Sequence, residues 1–124
     1  MRLLLDTHLL LWALSEPKRI GREGRALIER AEVYVSAASI WEISIKAAQG
    51  KLKAEPAAIL EAVEPSGFLI LPVTGEHAAR VYDLGKHHND PFDRLLVAQA
   101  QVDTMILLTN DEVLATYGKG VHVL

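Results

Sequence analysis

The chain has 124 residues, half of them hydrophobic, with a formal net charge of -3 and no cysteine. That length buries roughly two-thirds of the surface an unfolded chain exposes, so residues 1–124 are expected to fold as one domain without a disulfide or metal staple. A thiolate nucleophile, an iron-sulfur cluster and a cysteine-zinc site are excluded, and the acidic balance argues against gripping nucleic acid through an overall basic surface.

The apolar opening, Leu3-Leu4-Leu5 and Leu9 to Leu14, is interrupted by Asp6 and His8, and no small-residue cleavage pattern follows. No run approaches the ~20 apolar residues that span a bilayer, so no membrane association and a cytoplasmic location are expected. Arg2 to Leu5 reads as a short strand buried on both faces, with Asp6 at its carboxyl end. Thr7 to Leu14 reads as a helix stopped by Ser15-Glu16-Pro17, apolar nearly all round, which suits either a deeply buried helix or one that also meets a partner. Gly21 to Glu32 is an amphipathic helix, and Val33 to Val35 a second strand ending at Ser36. Ser39-Ile40-Trp41-Glu42 matches a Ser-x-x-Glu capping box, so the next helix is expected from Ser39 to Gln49, stopped by Gly50.

Glu55 to Ala62 is expected as a short helix, Phe68 to Leu71 as a strand and Thr74 to Leu84 as a helix, with Gly85 to Asn89 a loop. The next helix opens at Asp90-Pro91-Phe92-Asp93: Asp90 is a good N-cap, and Pro91 fits the first helical position because its missing donor goes unused there. Met105 to Leu108 is a fourth strand followed by Thr109-Asn110-Asp111, Glu112 to Tyr117 a short helix, and Val121 to Leu124 an edge strand. Strands alternating with helices imply a mostly parallel sheet covered on both faces, whose site lies beyond the carboxyl ends of the strands.

Asp6 and Asp111 fall at those ends, and Glu42 and Asp93 fall in the first turns of helices that begin on the same side. Each has a structural excuse as a cap or as a partner for a helix dipole. Their convergence has none, because two unit charges ~6 Å apart repel by about 3 kcal/mol near a protein surface. A divalent cation removes that penalty, and hard oxygen donors without cysteine point to Mg²⁺ or Mn²⁺. Asp6, Asp93 and Asp111 are expected to bind it directly or through water, with Glu42 holding a metal-bound water or acting as general base.

The segments Leu3-Leu4-Leu5-Asp6-Thr7-His8, Ser39-Ile40-Trp41-Glu42-Ile43 with Lys46 and Gly50-Lys51-Leu52, Asp90-Pro91-Phe92-Asp93-Arg94-Leu95-Leu96-Val97-Ala98-Gln99-Ala100, and Thr109-Asn110-Asp111 together resemble PIN-domain nucleases. The closest likeness is to the VapC-like ribonuclease toxins of toxin-antitoxin pairs. The resemblance implies a three-layer PIN-like α/β fold, with Asp6, Glu42, Asp93 and Asp111 as the acidic quartet and Thr109 as the family's small hydroxyl residue. Asp90 matches a further acid of the subtype, either a cap or a group supporting the ligands. Metal-dependent hydrolysis of RNA, homodimers and inhibition by a small antitoxin protein are likewise implied.

Lys46, four residues after Glu42, suits an ion pair or a phosphate contact, and Arg94 an RNA contact on the rim. His87 and His88 are adjacent on an extended loop and should diverge rather than form a joint metal site; His8, His77 and His122 read as surface or packing residues, and Trp12 and Trp41 as core anchors. Two other readings stand beside the nuclease. One is a receiver-type or phosphatase-type phosphotransfer module, although Asp6 is followed by Thr7-His8 rather than a second acid and no strand-end lysine is evident. The other is a non-catalytic metal-binding or RNA-binding module of the same fold.

Overall fold

In the computed structural model, which describes residues 1–124, five strands form one sheet in the order β3-β2-β1-β4-β5, every neighbouring pair parallel. The strands are β1 (Arg2–Leu5), β2 (Glu32–Ser36), β3 (Leu69–Leu71), β4 (Ile106–Thr109) and β5 (Val121–Val123). The helices are α1 (Thr7–Ser15), α2 (Gly21–Arg30), α3 (Ala37–Ala48), α4 (Pro56–Val63), α5 (Gly75–Arg80) and α6 (Pro91–Val102). Short 3-10 turns add Pro17–Ile20, Val81–Asp83 and Glu112–Tyr117. This order differs from the 2-1-3-4-5 order of receiver-like sheets, because β3 lies outside β2 instead of crossing back beside β1.

Side chains alternate across a strand, and here both faces are covered. Leu3, Leu5, Val33, Val35 and Leu108 meet Leu9, Leu10, Ile20, Ile43 and Val63 in one core, and Leu4, Leu71 and Leu107 meet Leu84, Leu96, Val97 and Leu114 in the other. The helices α1 to α4 thus serve one face and α6 the other, with α5 packed against α6. Leu4, Leu5, Leu107 and Leu108 are fully buried, which explains why the inner strands are continuous apolar runs rather than alternating ones. With β1 between β2 and β4, the ends of three inner strands open on one rim.

Two elements depart from expectation. The first is α3, which begins at Ala37 and not near Ser39: Ser36 is its cap, its hydroxyl accepting from the Ala38 N–H at 3.0 Å. The capping box at Ser39 to Glu42 is therefore not formed. The helix expected to run to Leu84 stops at Arg80 and tightens into the 3-10 turn, because the Val81 carbonyl accepts both from the Leu84 N–H and from the Arg94 guanidinium. At the start of α5, Thr74 and His77 form the capping box, with the Thr74 N–H donating to His77 Nδ1 at 3.0 Å. His77, expected at the surface or in packing, is buried and holds Asp103 at 2.9 Å.

Candidate active site

Asp6 follows β1, and one of its oxygens caps α1 by accepting from the Leu9 N–H at 2.8 Å. The other accepts from the Thr109 hydroxyl at 2.5 Å, and Thr109 Oγ1 in turn accepts from the Asp111 N–H at 3.1 Å. One hydroxyl on β4 therefore ties together the acids that follow two neighbouring strands. Asp111 uses its Oδ1 to cap the turn after it, accepting from Val113, which leaves Oδ2 toward the rim.

Glu42 is buried in the second turn of α3. Its Oε1 accepts from the Thr7 hydroxyl at 2.7 Å, with Ser39 Oγ 3.0 Å from the same hydroxyl, and its Oε2 meets Lys46 Nζ at 2.8 Å. Glu42 thus faces α1 and does not reach back to its own helix N-terminus. Lys46 takes the ion-pair alternative, and its hydrogen bond to Glu42 raises its pKa. Asp90 caps α6, its Oδ1 accepting from the N–H groups of Phe92 and Asp93 at 2.8 and 3.1 Å.

Asp93 registers the gathering most strongly. Its pKa is raised from 3.8 to about 7, first by burial and then by the charges of Asp90, Asp6 and Glu42, with His88 acting the other way. Burial likewise raises Asp6, against the lowering effects of the Thr109 and Leu9 hydrogen bonds and of His8. Asp6, Asp93 and Asp111 share the wall of an open cleft of about 530 Å³ with His8, Trp12, Arg19 and Asn110. Of the four acids named from the sequence, Asp6, Asp93 and Asp111 line this cleft, while Glu42 is buried behind it and acts on Asp6 and Asp93 through its charge; Thr109 donates to Asp6, and Asp90 accepts from the Asp93 N–H.

Other placements correct the sequence reading. Arg94, expected on RNA, spends its guanidinium inside the protein: it donates to the carbonyls of Gly85 (3.0 Å), Val81 (3.3 Å) and His88 (3.4 Å) and to Tyr117 Oη (3.2 Å). Hydrogen bonds to a charged donor contribute roughly 1.5–3 kcal/mol, so Arg94→Ala is expected to lower stability by about 2 kcal/mol in urea denaturation. Arg94→Lys should recover little of it, since an ammonium lacks the planar fork that reaches several acceptors at once. The arginine on the cleft is Arg19, whose guanidinium lies 4.5 Å from the Trp12 ring. Trp41, expected in the core, is 61% exposed and packs edge-on against Phe92.

His88, set aside in the sequence, stands between Asp93 and Asp111, its Nε2 lying 3.3 and 3.0 Å from their Oδ2 atoms. No periodicity marks it; position five residues ahead of Asp93 on the loop into α6 is its one sequence signal. His87 turns instead to Tyr117, with ring centroids 5.1 Å apart, so the two histidines do diverge.

The model of the PIN domain matches residues 3–120. The chain belongs to the PIN-domain family. No curated protein matches it by sequence search. Among solved structures, this PIN domain resembles VapBC2 from Rickettsia felis bound to a promoter DNA fragment (TM-score 0.72, 15% identity, covering 100% of this chain and 98% of that one). It also resembles DNA-bound VapBC from Salmonella typhimurium (TM-score 0.69, 17% identity, 100% and 97% covered) and a toxin-antitoxin complex from Klebsiella pneumoniae (TM-score 0.66, 21% identity, 97% and 95% covered). At these identities the likeness is one of fold.

Proposed function

We propose that this PIN domain is a Mg²⁺- or Mn²⁺-dependent endoribonuclease and the toxin of a toxin-antitoxin pair. The observation that carries the reading is the gathering of Asp6, Asp93 and Asp111 on one cleft, close enough to Glu42 and Asp90 that burial and the neighbouring charges together raise the pKa of Asp93. A cluster this costly is poorly explained by capping, and its oxygen donors fit a hard divalent cation. Asp6, Asp93 and Asp111 would hold the ion, which when bound neutralises a phosphoryl oxygen and lowers the pKa of water.

The protein's own groups do the rest. Thr109 fixes Asp6, and Thr7 and Lys46 fix Glu42, whose remaining lone pairs orient the attacking water or accept its proton. Arg19, stacked over Trp12 on the cleft wall, supplies the cation for a substrate phosphate in place of Arg94. A small antitoxin and a second copy of the chain are the partners this reading names. The solved toxin-antitoxin complexes of the same fold support it.

Asp6→Asn separates chemistry from folding. Asparagine keeps an oxygen for the Leu9 N–H, so the α1 cap survives, but it removes the charge. Purified protein is expected to cut RNA with Mg²⁺ or Mn²⁺ and not with chelator, and Asp6→Asn is expected to lose the cutting while melting within a few degrees of the parent. A parent that cuts no RNA with either ion, and is as harmless in cells as Asp6→Asn, would sink the nuclease. Metal binding without turnover would select the non-catalytic module.

A further inference from the structure

His88, Asp93 and Asp111 each place one donor atom within 4.8 Å of the others, a set that looks first like a mixed nitrogen and oxygen metal site. The hydrogen bonds argue differently. His88 Nδ1 lies 3.0 Å from the backbone nitrogen of Asp90. A backbone N–H can only donate, so Nδ1 presents its lone pair and the ring proton sits on Nε2. Nε2–H then donates to Asp111 Oδ2 at 3.0 Å, with Asp93 Oδ2 3.3 Å from the same nitrogen but not in line for a hydrogen bond, and no lone pair is left for a cation. Ligation through Nε2 would need the proton on Nδ1, where the Asp90 N–H already points.

We propose that His88 is a positioning residue of the metal centre: its Nε2–H donates to Asp111 and holds that carboxylate beside Asp93 for the cation, without ligating it. The surrounding structure holds the ring in place. Arg94 on α6 gathers the carbonyls of Val81, Gly85 and His88 itself, and the Tyr117 hydroxyl donates to the Gly85 carbonyl at 3.0 Å. The inference rests on the metal-centre reading given above and assigns a role within that site.

Two variants separate the donor from the loop anchor. Glutamine carries an amide N–H at about the reach of histidine Nε2 but has no acceptor at the position of Nδ1; asparagine has the reverse. His88→Gln is expected to keep Mg²⁺ affinity within about threefold of the parent, whereas His88→Asn and His88→Ala lose roughly 10–100-fold, the usual effect of removing a group that orients a ligating side chain. Calorimetric titration with Mg²⁺ reads this without RNA. Ring ¹⁵N shifts of His88 are expected to show a protonated Nε2 in the metal-free protein and to keep it when Mg²⁺ saturates.

A proton on Nδ1, or its transfer there on adding Mg²⁺, overturns the proposal in favour of a ligating histidine. An asparagine variant that binds Mg²⁺ as well as the glutamine variant overturns it in favour of a loop anchor. A parent protein that binds neither Mg²⁺ nor Mn²⁺ overturns the metal centre itself, and this role with it.

Discussion

Asp93→Asn is expected to slow RNA cleavage by about 10³-fold while raising the melting temperature of the metal-free protein at pH 8. The rate effect follows from losing a carboxylate that stabilises charge through the cation, a contribution of several kcal/mol, with each ~1.4 kcal/mol worth a factor of ten. The stability effect has the opposite sign for a definite reason. The Asp93 pKa rises from 3.8 in the unfolded chain to about 7 in the folded one. Between those values the folded state holds a proton that the unfolded chain has released, so stability falls as pH rises through that window and the full penalty stands above it. Solvent screening at a partly exposed rim leaves about 1–2 kcal/mol of that penalty. Asparagine mimics the protonated acid, so the variant should melt roughly 3–10 °C higher at pH 8 and nearly level with the parent at about pH 4. Calorimetry in chelator at the two pH values measures this, and equal melting at pH 8 would remove the shared-pocket explanation.

The second large effect is that of the ion itself. Mg²⁺ or Mn²⁺ at a hundred times its dissociation constant is expected to add about 2.7 kcal/mol of stability at pH 8. That corresponds to a rise in melting temperature of roughly 8–15 °C. Because Asp93 must lose its proton to take a cation, apparent affinity should fall about tenfold for each pH unit below about 7. The metal-induced rise should therefore shrink sharply by pH 5, and Asp93→Asn should blunt it at every pH. Thermal melts across a matrix of pH and metal concentration test both statements. A cation effect independent of pH would place the binding elsewhere than at Asp93.

The ends of the central strands were legible because they obey local rules. Leu3-Leu4-Leu5 must be buried on both sides, so Asp6 must stand where the strand leaves the core; the run into Thr109-Asn110-Asp111 says the same of the other strand. Asp90-Pro91 fixed the start of α6, and with it the height of Asp93. What escaped depends on contacts between distant segments. Ser36 and Ser39 both satisfy the chemistry of a cap, and only the Thr7 hydroxyl, from another helix, reveals that Glu42 faces inward. Arg94 follows an acid of the rim in sequence, yet its side chain is claimed by carbonyls of a loop whose path no local pattern specifies. His88 became visible for the same reason and only then, since its contacts with Asp93 and Asp111 depend on that loop being fastened.

The clamp between Thr109 and Asp6 joins positions 103 residues apart. A nascent chain that has not yet delivered β4 already carries Asp6, Glu42 and Asp93, but β1 then lacks a neighbour on one side and Asp6 lacks its hydroxyl. On the nuclease reading, the acidic set is therefore completed only when the fourth strand emerges, since that strand brings both the hydroxyl that holds Asp6 and the Asp111 that follows it.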